Sequence, residues 1–493
     1  MIRLPYFVLL CLLLFPTWLF AQSNEPIRVE LEAVKDQDDY NFAQAGSDGA
    51  FVFYEGNSNI PDSSKWVFVH YDTNLVKDYH FLINLPTQIE FISHSKSNNY
   101  IYFFFQKRLP KKEPLQSFLV TVDLQTNQYN LQALPVLKNR DVSKIFAIDG
   151  QLVLVANGNR QDSIYFYHQE QNDMLSVGDI FPYRFEFCAP DTFNHRWLVG
   201  LTQARSEPGN DMFLYTYDYT SQKAGIQVFP VPNNAKGDHT YNSARAIAIC
   251  KDTALIIGTY NTMKDRYSSN MHSGVYTLML HGDVFDSARY FNYTNLKSLN
   301  SGNATPSKYS NLNLQLLIGN ITTDGKEFAF STEVIYPEYS YNYTGYDNFY
   351  GSPGSGTTTV FNGYRYINGY ITSFDTTGNL LWDYYFPFSS IILMAAEPLL
   401  HVDFTPDGTV LYYTRNNRII STLVDGYDIV EKMTTIPIET NYEHDAVDYN
   451  RNTKIEPWYG KHYIVTGYQY IMNRNRSGKG KRYVFFMNKL KYE

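Results

Sequence analysis

Two groups of polar residues have the chemistry of a catalytic or metal site. His401 and Asp403 are two positions apart, so on a strand they share one face. An acidic cluster follows at Glu439, Glu443, His444 and Asp445. A metal site needs three or four ligands, and no spacing marks the remaining ones. We interpret the pair as a hydrogen-bonded histidine beside a carboxylate and the cluster as a solvated loop, with a cation site as the alternative, and we predict no metal and no cofactor.

The usual sequence motifs of catalysis are missing. The chain has no Gly-x-Ser-x-Gly elbow, His-Glu-x-x-His pair, phosphate-binding glycine loop, Cys-x-x-Cys pair or Asp-x-Asp-x-Asp-Gly calcium loop. The glycine-rich segment 351–356 has the wrong spacing for the elbow and is interpreted as a flexible loop. The sequence leaves enzymatic activity open and favours a non-catalytic protein.

The elements that must position these residues follow a two-part strand rhythm. Short turns rich in Gly, Asp or Asn, each followed by a run of β-branched and aromatic residues, occur eight times, at 47–49, 96–99, 149–150, 191–194, 251–252, 323–325, 406–408 and 459–460. A second kind of hairpin follows seven of them, at 71–81, 122–129, 167–172, 217–222, 280–283, 374–386 and 424–427. Repeated four-stranded meanders of this kind predict a β-propeller.

We therefore predict an all-β fold, an eight-bladed β-propeller, with seven blades as the alternative if one turn is spurious. Each blade has strands A to D from the axis outward. The last blade lacks its strand D, and the segment from Ile27 to Val34 alternates apolar and charged residues as an edge strand does. We predict that this N-terminal strand joins the C-terminal blade and closes the ring.

The chain resembles the broad class of exported bacterial β-propellers over nearly its whole length. The segment 374–382, with Asp375, Gly378 and Trp382, looks like the turn of quinoprotein-type propeller repeats, although one residue is missing between Asp and Gly. That family repeats this turn around the ring, whereas the chain has it once. The sialidase-type Asp box does not fit either. The resemblance implies the fold and no particular activity.

The N-terminus has the features of a secretory signal. A basic start and an apolar stretch from Tyr6 to Phe20 precede Ala21, where we expect cleavage. Residues 1–21 are thus predicted to be a signal peptide and 22–493 a single propeller domain, with no transmembrane segment after signal removal. We expect an exported protein, periplasmic, on the outer surface or secreted. Cys188 and Cys250 have inner-strand patterns and are predicted to be unpaired.

Arginine recurs in the loops between strands B and C, which all project from one face of a propeller. The candidate basic face consists of Arg108, Arg160, Arg205, Arg266, Arg365, Arg415, Arg418, Arg474 and Arg476. The planar guanidinium fork suits carboxylate, phosphate or sulfate. Because the net charge is −8, this face would contrast with a more acidic remainder. The alternative is that these arginines are unrelated surface residues.

An insertion at about 336–370 makes the sixth blade the longest. It contains nine tyrosines, and the candidate recognition loop includes Tyr339, Tyr341, Tyr343, Tyr346 and Tyr350. Tyrosine offers a large rigid contact area with a polar tip. The loop either recognises a partner or packs on itself, and the two are compatible.

These observations favour a non-catalytic binding or scaffolding propeller of the bacterial envelope or secreted space. It would recognise an anionic or glycan-bearing partner, a protein or a glycan, through its B–C loop face. The alternative is a polysaccharide-active hydrolase or lyase with a site at the channel mouth. A third candidate is a subunit of a larger envelope complex. We expect a monomer and no nucleic-acid partner.

Overall fold

The structure is a computed structural model that describes residues 27–35, 37, 39–58, 60–107, 116–135, 141–148, 150–177, 181–204, 212–230, 239–262, 273–296, 314–345, 355–473 and 480–491. Its strands form eight antiparallel sheets, which fits an eight-bladed β-propeller. Two 3-10 helices, Gly46–Asp48 and Tyr293–Asn295, are the only helices of these ranges. No helix among the described residues is long and apolar enough to cross a membrane.

Strand β1 (Ile27–Glu32) comes first in the chain and belongs to the last sheet. The first four sheets follow the chain in order. The first contains β2 (Asn41–Gln44), β3 (Ala50–Gly56), β4 (Ser63–Tyr71) and β5 (Lys77–Pro86), and the second contains β6 (Ile89–Ser97), β7 (Tyr100–Lys107), β8 (Ser117–Asp123) and β9 (Gln128–Ala133). The third contains β10 (Asp141–Ile148), β11 (Gln151–Asn157), β12 (Ser163–His168) and β13 (Asp173–Ser176), and the fourth contains β14 (Tyr183–Asp191), β15 (Arg196–Gln203), β16 (Met212–Asp218) and β17 (Lys223–Val228).

The fifth sheet contains β18 (His239–Cys250), β19 (Thr253–Thr262) and β20 (Gly274–His281), with two short strands, β21 (Val284–Phe285) and β22 (Arg289–Asn292), that both pair with β20. The sixth contains β23 (Gln315–Thr323), β24 (Glu327–Gly345), β25 (Ser355–Asp375) and β26 (Leu380–Leu393). The seventh contains β27 (His401–Thr405), β28 (Gly408–Arg415), β29 (Arg418–Asp425) and β30 (Asp428–Pro437). The eighth contains β31 (Asp445–Tyr459), β32 (His462–Asn473), β33 (Lys481–Lys491) and β1.

All eight turns predicted between strands A and B lie between the first two strands of a sheet, so the described residues form eight sheets and not seven. Several of these turns need a left-handed residue, as at Asn98 (φ 48°) and Gly325 (φ 91°). Asparagine and glycine adopt this conformation at low cost. The Asn and Gly residues found in the sequence are therefore the ones that allow the chain to turn between strands A and B.

Neighbouring sheets pack through apolar clusters made largely of aromatic rings. Between the first and second sheets, for example, the rings of Phe53 and Phe103 lie 5.0 Å apart. The cluster that contains Val52 and Phe485 joins the first sheet to the eighth. In the same place the indole Nε1 of Trp458 donates to the carbonyl of Gly49 over 3.0 Å. Many of the tyrosine and phenylalanine side chains thus pack between neighbouring sheets.

The pairing of β1 with β33 is reinforced by buried ion pairs. Arg28 Nε and Arg482 Nε donate to the two carboxylate oxygens of Glu30, over 2.8 and 2.9 Å. Arg482 also bonds Asp445, whose side chain is fully buried. Burial by itself would raise the pKa of Asp445, but hydrogen bonds from Arg482 and Asn473 leave it below its ordinary value of 3.8. Since the folded pKa is the lower one, this stabilisation is present above about pH 4 and is lost as the pH falls further.

The predicted signal peptide, residues 1–21, lies outside the described residues.

The two cysteines of the predicted mature chain, Cys188 and Cys250, form no disulfide, as predicted. Cys188 is half-buried on β14, but Cys250 is exposed because it ends β18 beside the turn, so it is not the small buried residue that its strand pattern indicates.

We predict that Glu30→Gln lowers the free energy of unfolding by about 3 kcal/mol, because it leaves the buried Arg28 without a carboxylate and removes one of the two carboxylates that Arg482 contacts. Urea unfolding at pH 7 measures this difference. Glu32→Gln is the matched control, since Glu32 lies on the same strand but is exposed, and its effect should stay within about 0.5 kcal/mol. Equal effects of the two substitutions would contradict the prediction.

Candidate functional site

The B–C loop of the third sheet is built to present Arg160. Asp162 is buried and accepts hydrogen bonds from the backbone N–H of Gly158 (3.2 Å) and from Arg184 Nη1 (3.1 Å). Arg184 also donates to the carbonyls of Gly158 and Asn159. These hydrogen bonds hold the loop in place against Arg184, and Arg160 is exposed at the tip of the loop. Arg160 forms no ion pair with another residue of the described ranges.

The B–C turn of the seventh sheet brings two arginines together. Asn416 and Asn417 have φ values of 46° and 59°, the left-handed pair that a two-residue hairpin turn requires. Arg415 and Arg418 are therefore directly opposite each other in the ladder. Arg415 hydrogen-bonds Tyr413, while its Nε is buried and has no hydrogen-bond partner. Like charges placed opposite each other destabilise a strand pair, and neither arginine meets a carboxylate among the described residues.

The remaining predicted arginines differ in their surroundings. Arg365 lies within β25 and not in a loop, and its Nη2 donates to Glu338 Oε1 over 2.9 Å while its Nε bonds the other oxygen. This pair lowers the pKa of Glu338. Because Arg365 already has a bidentate carboxylate partner, its charge is less available to a ligand. The other predicted members, Arg108, Arg205, Arg266, Arg474 and Arg476, lie outside the described residues.

The tyrosine-rich insertion is a β-hairpin, and the prediction of a loop is wrong for its described part. Strands β24 and β25 pair from Glu327 and Asp375 to Gly345 and Ser355, with register shifts after Val334 and after Glu338. The spacing Tyr339-x-Tyr341-x-Tyr343 opposite a threonine run has the period of two that is typical of strands. That pattern was the signal for this element.

One face of this hairpin presents aromatic rings to solvent. Tyr339 and Tyr341 are 48% and 64% exposed. Tyr339 lies opposite Phe361, and their rings are 5.5 Å apart. Tyr343 pairs with Thr357 at the end of the ladder, and Tyr346 and Tyr350 lie outside the described residues. Tyr339 and Tyr341 therefore form an accessible surface, whereas Tyr366 and Tyr370 of the same insertion are buried.

The innermost strands of the third to sixth sheets hold a second polar group, the inner cluster of Lys144, Glu186, Cys188 and Arg245. Thr202 Oγ1 donates to the Glu186 carboxylate over 3.1 Å. Arg245 donates to the carbonyls of Glu186 (3.3 Å) and Ile318 (3.4 Å), so it links three inner strands. The inner cluster thus puts two cations and one carboxyl on the first strands of neighbouring sheets.

Burial shifts the pKa of every member of the inner cluster. It raises the pKa of Glu186 to about 7, although Thr202 and Arg245 oppose the shift. Burial also lowers the pKa of Arg245 and of Lys144, and it raises the pKa of the Cys188 thiol. Cys188 is therefore a poor nucleophile at neutral pH, whereas Glu186 can exchange a proton there.

The pair His401 and Asp403 lies on β27, the inner strand of the seventh sheet. Burial lowers the pKa of His401 to about 4, so the ring is neutral, and it stacks on Tyr412 with centroids 5.4 Å apart. The hydroxyl of Tyr463 donates to Asp403. No group of three or more His, Cys, Asp or Glu in the described part of the chain could hold a metal ion. The pair is held by aromatic neighbours.

The acidic cluster near residue 440 divides into separate roles. Asp445 bonds Arg482 and Asn473, as described for the eighth sheet. Glu443 and His444 are exposed at the surface, with 3.8 Å between them. Glu439 contributes its carbonyl, which accepts from Arg28. The solvated-loop interpretation holds for Glu443 and His444 and is wrong for Asp445, whose carboxylate is buried.

Sequence reasoning missed the inner cluster. Glu186 stands alone between two phenylalanines, and Arg245 lies among small apolar residues about 60 positions later in the chain. Only the packing of successive inner strands brings them together. The alternation of polar and aromatic residues in 183–187 is a weak signal of a strand with a wet face.

Comparison with known proteins gives folds and no family. No protein-family model and no curated protein matches the chain. Similar solved structures include the β-propeller domain of the Trilobed protease from Pyrococcus furiosus, with 7% identity, a TM-score of 0.39 and coverage of 81% of this chain and 94% of that one. The polysaccharide lyase Uly1 has 9% identity, a TM-score of 0.41 and coverage of 81% and 90%.

The α-L-arabinofuranosidase Arb93A from Fusarium graminearum is similar at 9% identity and a TM-score of 0.35, with coverage of 82% of this chain and 93% of that one. At such values the activities of these proteins do not transfer to this chain.

We predict that Glu186→Gln stabilises the protein at pH 8 and leaves its stability nearly unchanged at pH 4.5. The folded pKa of about 7 is above the ordinary 4.5. As the pH rises through this window, the unfolded carboxyl ionises first, so the wild type loses stability that glutamine retains. Urea unfolding at both pH values measures the difference.

The exposed Glu55→Gln is the control for this series, and its effect should stay within about 0.5 kcal/mol. A Glu186→Gln variant that is less stable than the wild type at pH 8 would show that the charged carboxylate is stabilising.

Proposed function

We propose that the protein is an exported, non-catalytic binding propeller that recognises an anionic or glycan-bearing partner through its B–C face. The observation that carries this proposal is the turn at Arg415 and Arg418, where two arginines are Cα partners across a hairpin and neither forms an ion pair with a carboxylate of the described residues. An anion bound at this turn would take charge-assisted hydrogen bonds from both. The exposed Arg160 on the same face adds positive charge.

The hairpin of β24 and β25 supports a two-part binding surface. It is the B–C connection of the sixth sheet and is therefore next to the arginine turn of the seventh. The Tyr413 ring, two residues before Arg415, lies 5.2 Å from Phe388 of β26. Arginines would bind acidic groups, and Tyr339 and Tyr341 would supply flat contact area for a sugar ring or a protein surface.

We predict that Arg415→Glu with Arg418→Glu lowers the salt concentration at which the protein elutes from a sulfated matrix. The positive potential of the B–C face is replaced by a negative one, whereas the repulsion within the turn is kept, so the melting temperature should not change. The control is Lys223→Glu with Lys251→Glu, which makes the same charge change at exposed turns of the opposite face. Unchanged retention of the arginine variant would contradict the proposal.

Tyr339→Ser with Tyr341→Ser separates the two halves of the surface. Loss of a glycan or protein partner without loss of retention on the sulfated matrix would assign the hairpin to that partner. Loss of neither would limit recognition to the arginines.

The alternative function, a polysaccharide-active hydrolase or lyase, is favoured by one observation. A carboxyl with a pKa near 7, as Glu186 has, can act as a general acid or base at neutral pH. Retaining hydrolysis would also need a second carboxyl at about 5 Å. Turnover of a polysaccharide by the wild type, abolished in Glu186→Gln, would replace the binding proposal with this one.

We also propose that β1 closes the ring of sheets. Its pairing with β33, the ion pairs of Glu30 and the apolar cluster between the first and eighth sheets support this. A chain that begins at Lys35 would leave the edge of β33 open, and an open edge pairs with other chains. We predict concentration-dependent association of this variant in light scattering, compared with a chain that begins at Pro26. A monomeric truncated chain with an unchanged melting temperature would contradict closure by β1.

A further inference from the structure

The first strands of the third, fourth and fifth sheets each carry a β-bulge near their start. The ladder skips Ser143 on β10, Glu186 on β14 and Asn242 on β18. An extra residue of this kind bends the strand and changes the direction of the nearby side chains. Lys144 and Glu186 are each the fourth residue of their strand, so they lie next to or at a bulge. The bulges therefore set the directions of side chains in the inner cluster.

The cations of the inner cluster lack carboxylate partners. Neither Lys144 nor Arg245 forms an ion pair with a carboxylate of the described residues, and Lys144 Nζ lies 5.3 Å from the centroid of the Phe146 ring. Arg245 donates three hydrogen bonds, all to backbone carbonyls, the shortest of them to Ala244 over 2.8 Å. A guanidinium has five N–H donors. At least two donors of Arg245 are therefore without a partner among the described residues.

The two cations are close enough for their charges to interact, and solvent reaches them. Burial is the main cause of the lowered pKa of Lys144, and the charge of Arg245 lowers it further. Lys144 is exposed, and Glu186, Cys188 and Arg245 are partly exposed. Two cations that repel each other in a partly desolvated place are stabilised by an anion that contacts both.

Glu186 is coupled to this pair through Arg245. The charge of Arg245 opposes the rise in the pKa of Glu186 that burial causes. The other groups that act on Glu186 are the Thr202 hydroxyl and the ion-paired Asp162, whose charge raises the pKa, while the neighbouring Tyr276 is neutral because burial raises its own pKa. A second anion beside Arg245 would compete with the ionised carboxylate for the same positive charge.

We propose that Lys144 and Arg245 form a binding site for one small oxyanion, the carboxylate, sulfate or phosphate group of a ligand, and that protonation of Glu186 strengthens its binding. The three backbone carbonyls hold the planar guanidinium of Arg245 in place, whereas the ammonium of Lys144 is a point charge on a flexible stem. The site shares no residue with the arginines of the B–C face, so it does not rest on the proposed function. Its affinity should fall as the pH rises through about 7.

Sulfate is the probe, because it stays a dianion from pH 5.5 to 8.5 and any change in affinity then comes from the protein. The full chain, labelled with carbon-13 at its glutamate carboxyls, is titrated with sodium sulfate, and the signal that Glu186→Gln lacks reports Glu186. Saturating sulfate should raise the pH at which Glu186 ionises by about half a unit or more. Sodium chloride at equal ionic strength is the control for screening.

Two substitutions test the roles of the residues. Lys144→Gln should weaken sulfate about tenfold, the usual effect of losing one charge-assisted hydrogen bond. Lys251→Gln removes the same charge at the exposed turn between β18 and β19, and it should leave the affinity unchanged. Calorimetry in a chain with Arg415→Glu and Arg418→Glu, which removes the proposed B–C site, should show about threefold weaker binding at pH 8.5 than at pH 5.5. Adding Glu186→Gln should abolish this difference.

Acetate, titrated in the same way, identifies the anionic group that the site prefers, according to which of the two anions binds more tightly. A Glu186 signal that responds to sulfate and acetate no more than to chloride would overturn the proposal. Equal weakening by Lys144→Gln and Lys251→Gln would overturn the role of Lys144. Equal sulfate affinity at both pH values while Glu186 is present would overturn its control of the site.

Discussion

The organisation of the eighth sheet depends on the buried ion pairs between strands from opposite ends of the chain. Arg28 and Glu30 come from β1, and Arg482 and Asp445 come from the C-terminal region. Moving such charges out of water costs several kcal/mol for each ion, and this is recovered only when every member is paired. The network therefore selects one register. A slip of β1 by one residue would turn Arg28 and Glu30 together to the other face of the sheet and take Glu30 away from Arg482.

In the other sheets the described ion pairs are smaller groups, such as Asp191 with Arg196, and aromatic packing accounts for most of the buried contacts. Phe187 of β14, for instance, lies against the backbone of Gly200 on β15, where a Cβ would approach the ring to 2.2 Å. Apolar contacts of this kind are close but involve no charge, so they stabilise the packing without selecting one apolar partner over a similar one. The eighth sheet, which joins distant parts of the chain, thus adds a network of several ion pairs to the apolar contacts that all sheets share.

The sequence predicted much of this arrangement from local chemistry. Turn residues located all eight A–B hairpins, and the alternation in 27–32 identified β1 as an edge strand of the eighth sheet. The carboxylate of Asp445 was misread because its partner Arg482 is 37 positions away, and no local pattern connects them. The insertion was misread because its length and glycines outweighed its period of two. The inner cluster is invisible in sequence, since Glu186 and Arg245 become neighbours only through the lateral order of the sheets.

Some buried polar groups of the described residues lack a hydrogen-bond partner or have a strongly shifted pKa. The Nε of Arg415 and the hydroxyl of Tyr412 have no hydrogen-bond partner, and the carboxyl of Glu186 has a pKa of about 7. Aromatic packing between the sheets requires none of these three groups. Each is destabilising by itself, and a well-packed sheet would accommodate an apolar residue at lower cost. Arg415 offers a donor for an anion, and Glu186 offers an exchangeable proton. The two groups lie at separate places on rigid sheets, so a ligand that binds at either one would meet it already in position, and little ordering cost would oppose its binding.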